Sequence, residues 1–213
     1  MRSQTYDRIL PCMKYPLVIG WSPKCACTFF KRWWWFLETG TLWELSTQDH
    51  HEKLHVAVQN RAIRKPTDRE IVVIGIRHPA SRLRSAYVDK IANPANKSYY
   101  RPGLLFEQWV DELHVDRANR HEWGSHWNPQ VTMFERLPDA YTVPIDVGDD
   151  LEPSVRKIEN MLGLPAMECS NTKKTTKMKP VISNELAGKI ADIYQDDFEW
   201  LAKYYGICYM PFC

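Results

Sequence analysis

The chain has 213 residues, enough for one domain with a buried core, and 44% of them are hydrophobic while 25% are charged. Its 28 Lys and Arg residues against 26 Asp and Glu leave a formal net charge of +2, which is too small for a non-specific binder of polyanions. The sequence contains neither an apolar stretch of the roughly 18 residues that span a bilayer nor an N-terminal signal-peptide core, so we expect a cytoplasmic protein or a trimmed lumenal catalytic domain.

The first half of the chain alternates apolar strand patterns with helical ones. Residues 15–21 form a short apolar run bounded by proline and predict a buried strand. A helix is predicted from Thr28 to Gly40, and residues 42–65 are mixed and polar, which indicates partial helix. Residues 70–77 are rich in β-branched side chains and predict the clearest strand, after which Pro79 begins another helix.

The second half continues the alternation. Its predicted elements are a loop at 93–102, a helix at 104–113, an irregular stretch at 116–130, a third strand at 141–145, a helix capped by Asp150 and ending at Gly163, a lysine-rich loop at 169–180, and one long helix after Ser183. Alternation of this kind predicts an α/β protein with a mostly parallel central sheet flanked by helices.

Ligands of such sheets bind beyond the carboxyl ends of the strands. The two clearest strands end at Trp21 and Arg77, so a site is expected in the loops that follow them. After the first strand, residues 22–28 read S-P-K-C-A-C-T and lead into a helix. Backbone N–H groups at a helix start bind anions, Lys24 adds a mobile positive charge, and Thr28 either caps the helix or donates its hydroxyl. The sequence therefore predicts an anion-binding loop.

This loop differs from the ATP-binding Walker loop, which needs glycines at fixed spacing for close approach of the backbone. No glycine lies between Trp21 and Glu38. The spacing disfavours an ordinary kinase, although it does not disfavour an adenine-nucleotide ligand.

Two motifs carry a family resemblance. The pattern P-K-x-A-C-T-x-x-K-R at Pro23 is similar to the 5′-phosphosulfate loop of the Golgi carbohydrate sulfotransferases, the family of the chondroitin, HNK-1 and heparan 2-O enzymes. The pattern R-x-P-x-x-R-L-x-S-A-Y at Arg77 resembles the segment with which that family binds a 3′-phosphate. Cys25 stands where Val or Thr is more common, and His78 replaces a common acidic residue. With a Y-x-x-D-F-x-x-L pattern at Tyr194, the resemblance runs from about residue 15 to 206.

The resemblance implies a sulfotransferase, similar to the short bacterial-type members. It would be a single domain over 1–213 with an acceptor-side insertion at about 92–130, in a three-layer, P-loop-like nucleotide-binding fold. The donor would be 3′-phosphoadenosine-5′-phosphosulfate (PAPS), released as 3′-phosphoadenosine-5′-phosphate (PAP), and the charge scheme requires no metal. The donor-binding residues that the resemblance implies are Lys24, Cys25, Ala26, Cys27, Thr28, Phe29, Arg77, Ser85 and Lys174.

Three other basic residues can be explained as solvent-exposed charges without a role in binding the donor. Lys174 belongs to a lysine-rich loop that would close over the nucleotide in related enzymes, and a solvated run of charge explains that loop at least as well. Arg82 and Arg84 are interpreted as solvated arginines on the helix surface and receive no role.

Sulfuryl transfer also needs a base for the acceptor hydroxyl, and His suits that task near neutral pH. His55, in an H-V-x-x-x-N stretch, lies where heparan sulfate 2-O-sulfotransferase carries its base, and His126 belongs to an H-W-N-P-Q signature. We favour His55 over His126, although a structural role is the alternative for each. Lys24 would neutralise charge on the oxygen that links sulfur to the 5′-phosphate.

The expected partner is a hydroxyl-bearing acceptor, with a carbohydrate favoured by the resemblance; nucleic acid is not expected, and the oligomeric state is not indicated. Two other classes stay open. A non-catalytic domain that binds anionic glycans or nucleic acid would explain the basic loops and aromatic residues, but not the two motifs together. A nucleotide kinase of related topology would require ATP and magnesium.

Overall fold

The computed structural model describes residues 8–44, 53–54, 56–58, 64–134, 137, 142–148, 151–168 and 179–209. The chain divides into two compact units, each built from two separate stretches of sequence. Unit 1 comprises Met1–Ile76 and Met133–Lys174, and unit 2 comprises Arg77–Thr132 and Thr175–Cys213. The single domain stays a prediction. Among the described residues, no helix has the length and apolar character needed to cross a membrane.

The described helices and strands alternate along the chain. The strands are β1 (Ile9–Pro11), β2 (Leu17–Gly20), β3 (Ile71–Ile76) and β4 (Thr142–Asp146). The α-helices are α1 (Cys27–Thr39), α2 (Pro79–Ala86), α3 (Phe106–Val115), α4 (Val131–Phe134), α5 (Glu152–Leu162), α6 (Asn184–Ile193) and α7 (Gln195–Tyr205). A π-helical turn (Tyr87–Ile91) extends α2, and a 3₁₀ helix (Arg117–Glu122) follows α3.

Unit 1 contains one four-stranded sheet in the order β1-β2-β3-β4. Strands β2, β3 and β4 are parallel, with Ile19 opposite Val73 and Val73 opposite Val143, and β1 is antiparallel to β2. The three predicted strands are confirmed. Strand β1 was not predicted, because three residues ending in Pro11 make too short a pattern, although proline is tolerated in an edge strand. The sheet is mixed and the α/β class is confirmed.

Strands β2 and β3 are buried on both faces, as expected of parallel strands in α/β proteins, whereas β4 at the edge is only partly buried. Ile19 and Val73 on one face belong to a core cluster with Phe30 of α1 and Ile158 of α5. Gly75 allows α1 to approach closely, since a Cβ atom placed there would lie 2.2 Å from the Phe30 ring. The packing of α1 on the sheet therefore determines where the N-terminus of this helix lies relative to β2.

Helix ends agree well with the prediction where the structure describes them. Gly40 ends α1 and Gly163 ends α5, both with positive φ angles of 75° and 61°. The residue before α5 is Leu151, and the predicted cap Asp150 lies outside the described residues. Residues 53–54 and 56–58 are helical, which agrees with partial helix in that stretch.

The prediction of one long helix after Ser183 is wrong. Ser183, after which the helix was predicted to begin, caps α6 and accepts a hydrogen bond from the Leu186 N–H at 3.2 Å. The helix ends at Ile193, however, and α7 begins at Gln195. Tyr194 at the break is fully buried, and its hydroxyl donates to the Trp127 carbonyl. The apolar spacing continues through the break, so the sequence pattern did not reveal it.

Candidate active site

The loop between β2 and α1 has an unusual backbone. Lys24 and Ala26 both have positive φ angles, 67° and 50°, and Ala26 lies in the left-handed helical region. Residues other than glycine adopt this region at a cost of about 1–2 kcal/mol. Such conformations persist where the surrounding structure enforces them and are concentrated at binding and catalytic sites. The loop contains no glycine, so two other residues adopt these unfavourable backbone angles, and the loop is strained.

The residue between the two strained ones anchors the loop. Cys25 is fully buried in the core of unit 1, and its N–H donates to the Ser22 carbonyl at 3.2 Å. Lys24 and Ala26 on either side are partly exposed. The Cys25 N–H is used within the loop, so the backbone N–H groups that are candidates for binding an anion are those at the start of α1. The Cys25 side chain thus holds the loop in place.

The N-terminus of α1 follows directly after the strained loop. Ala26 is the N-cap, no side chain caps the helix, and no acidic residue lies in its first turn. The first helical hydrogen bond runs from the Phe30 N–H to the Ala26 carbonyl at 3.2 Å, so the N–H groups of residues 27–29 precede the helical ladder. Thr28 lies inside the first turn and is not the cap, which leaves its hydroxyl as the predicted donor.

A cation–π contact joins the two ends of this loop. The Lys31 ammonium lies 3.8 Å from the centroid of the Trp21 ring, so a residue of α1 contacts the residue that follows β2. Lys31 is buried, and burial lowers its pKa. Arg32 is buried as well and donates to the Trp43 carbonyl at 2.9 Å, so the last two residues of the first motif both make contacts inside unit 1.

In unit 2, Arg77 follows β3 directly in the chain and is held by Gln130. The Arg77 N–H donates to the Gln130 side-chain oxygen at 3.0 Å, and the Gln130 amide nitrogen donates to the Arg77 carbonyl at 2.8 Å. The same nitrogen lies 3.3 Å from a carboxylate oxygen of Asp197. Asp197 is fully buried, and burial raises the pKa of its carboxyl against the lowering effects of its hydrogen bonds and of Arg82.

Helix α2 carries the rest of the second motif. His78 is its N-cap and accepts a hydrogen bond from the Ala80 N–H at Nδ1, 3.2 Å away. This contact gives His78 the capping role that an acidic side chain has at a helix start, which accounts for the departure from the family pattern. Ser85 lies in the last turn of α2 and is half-buried.

The interpretation of Arg82 as a solvated surface residue is wrong. Its side chain is buried, and its guanidinium donates to the carbonyls of Asn128 at 2.7 Å and Ser125 at 3.2 Å. Its position, four residues before the buried Ala86, is the sequence signal that could have placed it on the buried face. Arg84 is half-buried and donates to the Pro180 carbonyl at 3.4 Å.

His126 lies in the segment that Arg82 holds. It is half-buried, with ring centroids of Tyr99 and Trp127 each 6.4 Å from its own. Backbone carbonyls on both sides of His126 are hydrogen-bonded by buried side chains, since Tyr194 contacts Trp127 and Arg82 contacts Ser125. The other predicted base, His55, and the predicted Lys174 lie outside the described residues.

Each unit contains some of the predicted site residues. Unit 1 contains the contiguous loop and helix start from Lys24 to Phe29, and unit 2 contains Arg77, Ser85 and His126. Sequence reasoning did not assign the supporting roles of Arg82 and Asp197, because each depends on partners far away in the chain. Among the described residues, no group of three or more His, Cys, Asp or Glu side chains is placed to hold a metal ion.

The comparison with known proteins gives one positive result. A family model described as "Sulfotransferase family" matches residues 7–204, which include both motifs. No curated protein and no solved structure matches the chain.

Proposed function

Because the chain belongs to the sulfotransferase family, we propose that it transfers a sulfuryl group from PAPS to an acceptor hydroxyl. Family membership supports sulfuryl transfer in general, while the donor, the residue roles and the acceptor are parts of this proposal. The observation that carries it is the strained loop at Lys24 and Ala26, which leads into a helix start with no capping side chain. A doubly charged phosphosulfate suits such a cradle.

The residues of the loop fit the 5′-phosphosulfate. The N–H groups of residues 27–29 and the positive end of the α1 dipole attract the anion, and the Thr28 hydroxyl is a further donor. Lys24 supplies a compact, mobile charge. Cys25 contributes through the loop backbone, because its side chain is fully buried.

Two residues of unit 2 fit the 3′-phosphate. Arg77 offers a planar fork of N–H donors that matches a phosphate, and Ser85 adds a neutral hydroxyl donor. These two contacts would give the protein a higher affinity for PAPS than for nucleotides without a 3′-phosphate. We also propose that Lys174 contacts the nucleotide, as part of the loop that closes over it in related enzymes.

The reaction needs charge stabilisation and a base. The donor supplies a sulfuryl group that is activated by its bond to the 5′-phosphate. Lys24 stabilises negative charge on the oxygen that is left when this bond breaks, and a histidine accepts the proton of the acceptor hydroxyl as the new O–S bond forms. This scheme needs no metal. ATP turnover that depends on magnesium would instead indicate a kinase.

The base is assigned between His55 and His126. General-base catalysis contributes about 10²–10⁴-fold to a rate, so His55→Ala should lower kcat by that factor if the resemblance identifies the base correctly. His126→Ala should have a smaller effect, measured as kcat at saturating PAPS and acceptor. The opposite ranking would assign the base to His126, whose flanking carbonyls are held by Arg82 and Tyr194.

The proposed acceptor is a carbohydrate or a glycosylated metabolite. Residues 92–130 contain the exposed rings of Tyr99 and Tyr100, 40% and 39% accessible, and Tyr99 packs its ring against Trp127 with centroids 5.2 Å apart. Apolar ring faces with a polar edge suit sugar rings. The test is transfer of labelled sulfate from PAPS to a panel of glycans and small alcohols. Transfer to sugar hydroxyls is expected, and transfer to non-sugar alcohols alone would contradict the proposed acceptor class.

A further inference from the structure

Gln130 pairs with the backbone of Arg77 through both atoms of its amide. The side-chain oxygen accepts the Arg77 N–H at 3.0 Å, and the nitrogen donates to the Arg77 carbonyl at 2.8 Å. Gln130 is fully buried, so no water competes for these bonds. One side chain therefore satisfies both backbone groups of a residue 53 positions away in the chain. Hydrogen bonds of this kind are costly to break in a buried place.

Asp197 determines which way the Gln130 amide points. Its two carboxylate oxygens accept from the Val131 N–H at 2.8 Å and from the Gln130 amide nitrogen at 3.3 Å. The amide nitrogen must therefore face Asp197 and the Arg77 carbonyl, which leaves the amide oxygen for the Arg77 N–H. With Asp197 fully buried at the start of α7, the chain Asp197–Gln130–Arg77 has one hydrogen-bonding arrangement.

A fixed backbone matters for an arginine that must present its fork to a phosphate. The Arg side chain has many rotatable bonds, and holding its Cα and backbone groups limits where the guanidinium can reach. Small displacements of positioning groups cost large factors in function. Among the described residues, Gln130 is the side chain whose hydrogen bonds fix both backbone groups of Arg77.

We propose that Gln130, oriented by Asp197, is a positioning residue that aims Arg77 at the 3′-phosphate and so determines the preference for 3′-phosphorylated nucleotides. This inference rests on the proposed function, in which Arg77 binds that phosphate. It predicts that weakening the Gln130 contacts lowers affinity for nucleotides with a 3′-phosphate and leaves affinity for nucleotides without one unchanged.

The test is calorimetric titration of the full chain with PAP and with 5′-AMP, for the wild type and Gln130→Glu. The variant keeps the size of the side chain and an acceptor for the Arg77 N–H. Even a protonated carboxyl has a single O–H, so at most one of the two donor contacts, to the Arg77 carbonyl and to Asp197, is kept. The ratio of the two dissociation constants should fall by about tenfold or more, through weaker PAP binding alone. Asp197→Asn should change the ratio in the same direction by a smaller factor. This second variant tests the positioning role if Gln130→Glu does not fold.

Tyr194→Phe is the matched control. It removes one buried hydrogen bond in unit 2, from the Tyr194 hydroxyl to the Trp127 carbonyl, and leaves the side chains of Gln130 and Asp197 unchanged. We expect lower thermal stability and an unchanged ratio. An unchanged ratio in folded Gln130→Glu or Asp197→Asn, or an equal change in Tyr194→Phe, would overturn the positioning role. A wild-type chain that binds both nucleotides equally would instead contradict the proposed function itself.

Discussion

Ala26 and Gly40 lie at the two ends of α1, and both have left-handed backbone angles, with φ of 50° and 75°. Glycine adopts this conformation without steric cost, whereas alanine does not. Ala26 is therefore a position where the side chain opposes the observed backbone. The strain is enforced by its surroundings, in particular by buried Cys25 and by the contact between Trp21 and Lys31.

The first prediction follows from this strain. Ala26→Gly should raise the free energy of unfolding by about 0.5–1 kcal/mol, because relief of the left-handed strain outweighs the greater backbone entropy of glycine. Urea denaturation measures the change. Gly40→Ala is the control with opposite sign and should destabilise by about 1 kcal/mol, since a Cβ there meets open space and only the backbone angle opposes it. Destabilisation by both substitutions would show that Ala26 is not strained.

The second prediction concerns His78, the cap of α2. His78→Ala and His78→Asp both lose the ring contacts with Phe198 and Tyr209, but only aspartate keeps an acceptor for the Ala80 N–H. His78→Asp should therefore be more stable than His78→Ala by about 1 kcal/mol, measured by urea denaturation. Equal stability of the two variants would contradict the capping role.

At the scale of elements, the packing of α1 on the sheet depends on Gly75. A Cβ atom on Gly75 would lie 2.2 Å from the Phe30 ring, well inside van der Waals contact. The third prediction is that Gly75→Ala lowers the free energy of unfolding by about 1–3 kcal/mol or more. Gly188→Ala in α6 is the control, because beyond its chain neighbours and the backbone of its own helix no atom lies within 4 Å of the added Cβ, and it should stabilise by about 0.5–1 kcal/mol. A neutral Gly75→Ala would contradict the close approach of α1.

The start of β3 is held by an ion pair whose strength depends on pH. Hydrogen bonds from Arg64 and Thr67 lower the pKa of Glu70 from 4.5 to about 2, against burial, which acts to raise it. Between these two values the unfolded chain binds more protons than the folded one, so stability decreases as pH falls. The stabilisation from Glu70 is complete above about pH 4.5 and is lost toward pH 2.

The fourth prediction follows from that sign. Glu70→Gln should destabilise the protein above pH 5, and the difference from the wild type should decrease steadily as pH falls toward 2. Denaturant unfolding over a pH series measures this difference. A difference that does not change with pH would show that the Glu70 charge does not contribute to folding.

For the whole molecule, the sequence predicted the elements whose pattern is continuous and local. The three strands β2, β3 and β4 were recognisable from apolar and β-branched runs, and Gly40 and Gly163 marked helix ends. The π-helical turn Tyr87–Ile91 was not predicted, since it ends the helix and no later turn shows the shift in apolar spacing that an extra residue causes. The break between α6 and α7 was missed for a related reason, because it depends on long-range bonds of Tyr194 and Asp197.

In the candidate site, too, local features were predicted from the sequence and long-range ones were not. The loop from Lys24 to Thr28 was located from its place after a strand, and its family from two motifs. Its strained backbone was not predictable, because local preference disfavours left-handed angles for Lys24 and Ala26. The partners of Arg77 and Arg82 could not be assigned either, since they come from residues more than 40 positions away.

Nucleotide binding tests whether this chain uses PAPS as its sulfuryl donor, and it requires no knowledge of the acceptor. The measurement is thermal unfolding of the full chain with PAP or 5′-AMP at equal concentration. A ligand at about 100 times its dissociation constant stabilises by about 2.7 kcal/mol, which for a protein of this size is a shift of roughly 5–10 °C. PAP should give that shift and 5′-AMP a much smaller one. Equal shifts with the two nucleotides, or no shift with PAP, would show that the chain does not use PAPS.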